Sequence, residues 1–342
     1  MYNRNHYIIE CVNSALNQTL EDYEIIITDD CSPSNSFKFV QENFAEQIKA
    51  GRLKSYRNPE RLGELGNIKS ALAKATGKYI QILHDDDILL PHALQHLYEV
   101  AEKFKADVVH GAVHLESPPD GIIQEGTKLI VASMNYPISD KFEIIPNDPL
   151  FKFKHWFDRR IFVDNQYNFF NRKFAIENNI FPNRAMPELS SLCWIMKANV
   201  IVKTPVAFYI RRESPDSSSN IKRNEDYLEG FIEGKITFYK IIDEILCEIP
   251  FLKDDEILRD LAKINMFIGP DDWLVKRRGF YKDGISTKAY HAVKRAFEKY
   301  YGEDAFLPAF LFHYVHAMQF NRQVKSDFFN MYLSSKSDNN KN

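Results

Sequence analysis

The sequence predicts an α/β protein, with a mostly parallel sheet flanked by helices and a helical extension behind it. Three observations carry this. From residue 7 to about residue 113, helix-period and strand-like apolar segments alternate, as consecutive β-α units do. Two acidic runs, Asp29-Asp30 and Asp85-Asp86-Asp87, each follow directly on a short apolar run. Beyond about residue 220 only helical periodicity remains.

In chain order, Tyr7, Ile8, Cys11, Val12, Ala15 and Leu16 share one helix face. Glu24 to Thr28 is a buried strand that runs into Asp29-Asp30. Cys31 to Ser36 is a turn rich in capping residues. Phe37, Val40, Phe44 and Ile48 form a second helix face, which Gly51 ends. Arg52 to Tyr56 is a strand and Asn58 to Gly66 a loop; Asn67 caps a helix that runs to Lys74. Tyr79 to Leu83 is a strand ending in the acidic triplet, Pro91 starts a helix, and Val108 to Val113 is another strand. Leu115 to Val131 reads as a loop or hairpin excursion. Phe151 to Phe157 is either an aromatic sugar platform or a helix covering the sheet. Val200 to Lys203 and Val206 to Arg211 are short strands. Helical patterns follow around Tyr227 to Leu246, Leu252 to Ile268 and Thr287 to Tyr300, and Ser334 to Asn342 is a polar tail.

Composition narrows the function. A net charge of −3 offers no footprint for nucleic acid. The 4 cysteines are widely spaced with no C-x-x-C pair, which argues against a zinc site or a disulfide framework and fits a reducing cytoplasm. No apolar run is long enough to span a membrane, and none resembles a signal peptide. No G-x-G-x-x-G follows a strand and no Walker loop is present, so a bound nucleotide is not held as in dehydrogenases or P-loop ATPases.

Three adjacent carboxylates at a strand end are either a solvated acidic turn or a divalent-cation site. The second run at Asp29-Asp30 favours the site. In a parallel sheet the carboxyl ends share one edge, where ligands of open α/β sheets bind.

The text around these runs resembles the family 2 glycosyltransferases of the glycosyltransferase-A fold, a Rossmann-like sheet. The matching residues are Tyr2-Asn3-Arg4, Cys11 to Thr19, Glu24 to Ser32, Asn58, Gly63, Gly66-Asn67, Ala75 to Ile80 and Leu83 to Pro91. Their order and spacing fit over the first third of the chain. The resemblance implies Tyr2 near the nucleotide base, Asp30 accepting from the base with Asp29 in support, and Asn67 and Lys69 bordering the nucleotide. It makes Asp85 and Asp87 the D-x-D pair. Asp87 is then first choice as metal ligand, with Asp85 also considered, Asp85 or Asp86 lies toward the ribose, and Mn2+ or Mg2+ is the cation. Arg211 and Arg212 open a polar loop, to Ser219, that resembles the family's mobile loop over the donor pyrophosphate.

In the second half, Asn171 to Pro182 resembles the segment before the family's catalytic acid. Spacing puts Glu188 at that position; the plain alternative is a first-turn Glu favoured by the helix dipole. The implied function is inverting sugar transfer from a nucleotide sugar, most readily a UDP-sugar, to a glycan or lipid-linked acceptor in surface polysaccharide synthesis. The implied setting is cytoplasmic, with peripheral membrane contact through Lys276 to Lys282 or that stretch as a solvated turn. Family members carry an apolar strand just before the Tyr-Asn-Arg element, where Met1 stands here. A misassigned start or a shortened product would leave exposed sheet edges, and keeps a non-catalytic glycan-binding or scaffold protein as the alternative. The expected organisation is a nucleotide-sugar-binding half at 1–114, an acceptor-binding half at 115–220, a helical extension at 221–333 and a tail at 334–342.

Overall fold

The computed structural model describes residues 1–2, 5–118, 120–133, 140–157, 160–161, 164–182, 187–213, 242, 244–256, 258–259 and 262. The chain divides into two compact units, Met1–Pro215 and Asp216–Asn342.

The first unit opens with α1 (Asn5–Leu16), which buries Ile8, Cys11, Val12 and Ala15, the face expected from its period. Strands β1 (Ile25–Asp29) and β2 (Leu53–Arg57) pair in parallel, with Ile25 opposite Leu53. Between them lie α2 (Ser36–Asn43) and α3 (Ala45–Lys49). Gly51, at φ +74°, turns the chain into β2, a backbone region that favours glycine. Ile8, Val12, Val40, Phe44 and Leu53 close a small core over this pair.

Helix α4 (Gly63–Leu72) begins four residues before the expected cap at Asn67. The reason is tertiary. Asp30 accepts the N–H groups of Leu62 and Gly63 at 2.8 and 2.9 Å, so the helix start is satisfied by a residue far away in sequence. Asn67 lies mid-helix, donating to Thr28 O at 3.2 Å and accepting from Asn58 Nδ2 at 2.9 Å.

The remaining elements are β3 (Tyr79–Gln81), β4 (Ile88–Leu89), α5 (Ala93–Phe104), β5 (Val108–Gly111), β6 (Val113–Glu116), β7 (Ile130–Ser133) and β8 (Glu143–Ile145). They continue with α6 (Pro149–Phe157), a 3-10 turn (Asn165–Tyr167), β9 (Asn168–Asn171), α7 (Arg172–Glu177), α8 (Pro187–Lys197), β10 (Ile201–Thr204) and β11 (Tyr209–Arg211). A five-stranded sheet runs β3-β9-β5-β10-β8, and a four-stranded one β4-β11-β6-β7. The α/β class is as expected, but strand directions are mixed. The pairs β5–β10 and β6–β11 are parallel, whereas β9 is inserted antiparallel between β3 and β5. The excursion after β6 is a hairpin with β7.

Asp107 ties the start of β5 to the residues that enter β10. Its carboxylate accepts from Asn199 and Val200 N–H at 2.7 and 3.1 Å, and its backbone N–H donates to Val200 O at 2.9 Å. Leu97, Val100, Val109, Phe169, Val202 and Phe208 fill the core between α5 and this sheet. The aromatic stretch 151–157 is helix α6; Phe153, Trp156 and Phe157 are buried, so those rings are core and not an open platform.

In the second unit a short helix, Pro250–Lys253, starts on proline, whose missing N–H costs nothing at that position. Arg259 Nη1 donates to Leu252 O at its far end, at 2.8 Å. The expected loop at 214–219, the helices at 227–241 and 287–300, the basic stretch at 276–282 and the tail lie outside the described residues. Among the described residues, no helix is long and apolar enough to cross a membrane.

Candidate active site

The two acidic runs meet at the first two residues of the chain. The Met1 ammonium donates to Thr28 O and Met1 O accepts from Asp30 N–H, both at 2.9 Å, so Met1 lies along the end of β1. One residue on, Tyr2 N–H donates to Asp85 Oδ2 at 2.8 Å. The carboxyl ends of β1 and β3 therefore face one place. The Arg61 guanidinium lies 4.4 Å from the Tyr2 ring centroid, on the loop that enters α4.

Asp29 is fully buried. It accepts from Ser32 N–H at 3.0 Å and from the Ser32 hydroxyl, with Arg57 Nε at 3.6 Å. Asp30 holds the start of α4 and also accepts from Asn58 Nδ2 at 3.1 Å.

The second run differs. Asp87 is buried, and its two oxygens are held by Arg212 N–H at 2.8 Å and the Tyr209 hydroxyl at 2.7 Å. Burial, then the neighbouring Asp86 charge, push its carboxyl up to about 6; His84, Arg212 N–H and Tyr209 pull the other way and do not prevail. Burial works against protonation of His84, but Glu64 and the three aspartates outweigh it and hold its pKa above the ordinary imidazole value. Burial and the Asp87 charge raise Tyr209 far above its usual range, so it stays a neutral donor to Asp87.

His84, Asp86 and Asp87 each offer a ligand atom, and all three atoms lie within 4.8 Å of one another. His84 Nε2 is buried without a hydrogen-bond partner. A buried carboxylate that resists ionisation beside an unbonded imidazole nitrogen suits a divalent cation, which would neutralise the first and bond the second.

Arg212 ties the site together. Its Nε donates to Asp86 O at 2.8 Å, its other nitrogens bond Gly121 O and Glu10 Oε2, and its guanidinium lies 4.7 Å from the Tyr7 ring centroid. Arg211, one residue earlier on β11, faces the other way and pairs with Glu116 at 2.7 Å and with Glu213. Lys69 reaches Asn179 Oδ1 at 3.3 Å. The structure thus gathers Tyr2, Asp85, Asp86, Asp87 and Arg212, sets Asp29 and Asp30 at the adjoining strand end with Asn67 of α4 bonded to Thr28 O beside them, and turns Arg211 aside. Glu188 is the second residue of α8, and its side chain lies outside the described residues.

Sequence reasoning passed over His84, Tyr209 and Glu10. His84 was legible as the residue before the triplet. Tyr209 was not, being 122 residues from the carboxylate it holds.

Sheets of mixed strand direction flanked by helices, with the acidic ends of β1 and β3 meeting at Met1-Tyr2, define an α/β fold with one acidic site. A model of Glycosyl transferase family 2 matches residues 1–180, more than half of the chain, and the chain belongs to that family.

The chain is 33% identical over 121 residues to Glycosyltransferase GlyG of Streptococcus pneumoniae, covering 35% of this chain and 39% of that protein. It is 34% identical over 137 residues to the chondroitin synthase of Escherichia coli, covering 40% of this chain and 18% of that one. The match thus spans well under half the length of these relatives. Among solved structures, S. aureus TarS 1–349 is similar over 96% of this chain and 89% of its own, at a TM-score of 0.57 and 17% identity, a likeness of fold. TarS 1–349 has also been solved with UDP and with UDP-GlcNAc.

Proposed function

We propose that the chain is an inverting glycosyltransferase that moves a sugar from a UDP-sugar to a glycan or lipid-linked acceptor in surface polysaccharide synthesis. One observation carries this reading: Asp29-Asp30 and Asp85-Asp86-Asp87 meet at Met1-Tyr2, with the reluctant carboxylate Asp87 beside His84 and Asp86. The TarS complexes support a uridine donor, and the E. coli relative supports a polysaccharide product.

In this reading Tyr2 and Asp30 face the base and Asp29 fixes Asp30's strand end. Asn67 and Lys69 border the nucleotide. Asp87 is the principal ligand of Mn2+ or Mg2+, with His84 and Asp86 at hand, and Asp85 stays with Tyr2 toward the ribose. When bound, the cation would neutralise charge developing on the departing diphosphate. The chain's own contribution is positional. Tyr209 and Arg212 N–H fix both oxygens of Asp87 in orientation. Glu188 takes the proton from the acceptor hydroxyl as that oxygen attacks the anomeric carbon from the face opposite the leaving diphosphate. We place the reaction in the cytoplasm, a setting that the wide spacing of Cys11, Cys31, Cys193 and Cys247 in the sequence fits.

UDP with Mn2+ is expected to raise the melting temperature of the wild-type chain, and Asp87→Ala to abolish the rise. Absence of a shift with every nucleoside diphosphate would sink the donor claim. Donor hydrolysis tests the base separately: undiminished turnover in Glu188→Gln would remove Glu188 from the mechanism.

A further inference from the structure

Beside the acidic edge lies a group of polar side chains that the proposed mechanism does not use. Strand β9 runs antiparallel to β3, with Gln81 opposite Phe169. That register sets the residues just before β9, the 3-10 turn Asn165–Tyr167, alongside the residues just after Gln81, which lead into the acidic triplet. Two contacts fix the turn there. Gln81 Nε2 donates to Gln166 O at 2.7 Å. The Tyr167 ring packs edge-on against Tyr209, centroids 5.5 Å apart, and the Tyr209 hydroxyl donates to Asp87. The turn is thus linked to Asp87 through the Tyr167 and Tyr209 rings. On its other side the turn meets α8: the Ser190 hydroxyl lies 3.0 Å from Asn165 Oδ1, two residues beyond Glu188.

Three amide atoms in this group have no hydrogen-bond partner: Asn165 Nδ2, Gln166 Oε1 and Gln81 Oε1. Asn165 is 1% exposed and Gln166 5%. Leaving such atoms unmatched carries their desolvation cost uncompensated, so a fold retains them where a ligand completes them. The orphan at Asn165 does not depend on which way its amide is drawn. Ser190 has one hydroxyl proton, and Ile180 O at 2.8 Å competes for it. If Ile180 takes it, the Asn165 amide turns to donate from Nδ2 into Ser190 Oγ, and Oδ1 becomes the unpaired atom. In either arrangement the turn offers neutral amide groups, and neutral amides match sugar hydroxyls, each both donor and acceptor, better than a phosphate.

We infer that Asn165 and Gln166, backed by Gln81, read hydroxyl groups of the sugar carried by the donor nucleotide and so determine which sugar is transferred. The donor sugar is the occupant because the β3–β9 register sets the turn that carries the orphaned atoms alongside the residues leading into the carboxylates assigned to the diphosphate. The inference rests on the proposed donor-binding reading, and its test separates the two. Affinities are measured by titration calorimetry with Mn2+ present, for UDP alone and for UDP-glucose, UDP-galactose, UDP-N-acetylglucosamine and UDP-N-acetylgalactosamine. The wild-type chain is expected to bind one UDP-hexose more tightly than UDP. Gln166→Met, which keeps volume and removes the orphaned oxygen, is expected to weaken that UDP-hexose about tenfold while leaving UDP within about twofold, and to raise the melting temperature of the ligand-free protein. Asn165→Ala is expected to act in the same direction. Should it fail to fold, Gln81→Met joins Gln166→Met as the second variant. If the variants bind the UDP-hexose as the wild type does, the amides hold only structural water and the inference is overturned. It is overturned equally if no UDP-hexose exceeds UDP in the wild type. Failure of UDP itself to bind the wild type is a different result and overturns the donor-binding reading.

Discussion

Two strand ends of this protein carry buried carboxylates, and the fold uses them in opposite ways. Asp29 and Asp30 close β1 and are surrounded by the chain's own donors: Ser32, Asn58, Leu62 and Gly63. Asp30 builds the start of α4. Asp87 lies past the end of β3, receives among the described residues only Tyr209 and Arg212 N–H, and has its carboxyl pushed up to about 6 by burial and Asp86. The first run is scaffold. The second holds a buried carboxylate at a cost in stability, which in the proposed reading a cation would compensate. Residue type and strand-end position do not separate the two roles; the number of fixed donors does.

The largest expected effect breaks the first half of this comparison. Asp30→Ala strands two backbone N–H groups and one N–H of the Asn58 amide, and is expected to destabilise the fold by about 3–4 kcal/mol in urea unfolding. A loss below about 1 kcal/mol would mean that Asp30 is no more structural than Asp87.

Asp87→Asn addresses the other half. It is expected to weaken Mn2+-dependent UDP binding on the order of 100-fold. It should not lower ligand-free stability at pH 7, because Asn still meets Arg212 N–H and the Tyr209 hydroxyl can accept from its amide. The sign follows from the raised pKa. Between the ordinary 3.8 and about 6 the native carboxyl holds a proton that the unfolded one has lost, so native stability falls as pH rises through that window. The variant should therefore gain on the wild type from pH 4 to 6, read by thermal melts across pH; a variant less stable at pH 7 than at pH 4 relative to wild type contradicts this.

Glu24 extends the comparison to the start of β1. Partial burial opposes its ionisation, but Lys54, the Thr76 N–H and hydroxyl, and the Gly77 N–H outweigh it and hold its carboxyl down to about 2. Its stabilisation is fully present above the ordinary 4.5 and is lost as pH falls toward 2. Glu24→Gln is expected to cost about 2 kcal/mol at pH 7, with the gap closing in acid. A pH-independent gap would show that packing, not charge, is lost.

The smallest effect is expected from Tyr209→Phe. Removing one neutral donor to Asp87 should cost about 1 kcal/mol in stability and weaken Mn2+ binding a few-fold, measured by calorimetry. An unchanged affinity would mean that Arg212 N–H alone orients the carboxylate.

The α/β class and both acidic runs were legible because strand apolarity and strand-end carboxylates are local signals. The start of α4 was not, because its cap is Asp30 and not a neighbour. The antiparallel β9 escaped notice because Asn168-Phe169-Phe170-Asn171 holds only two apolar residues between amides. The site's second side was also hidden. Tyr209 and Arg212 reach Asp87 through the β4–β11 pairing, and nothing in the text around residue 85 foretells it.

The distance along the chain between Asp87 and its partner Tyr209, 122 residues, is also an interval of time. At ribosomal speeds of about 5–20 residues per second, the acidic triplet emerges some 6–24 seconds before its hydroxyl donor exists. During that interval the three carboxylates stay in water, since no partner is present to compensate their burial. Formation of the site is thus a late event, coupled to β11 docking beside β4 and β6. Pulsed hydrogen exchange during refolding is expected to protect the amides of β1 and β2 before those of Asp87 and Arg212.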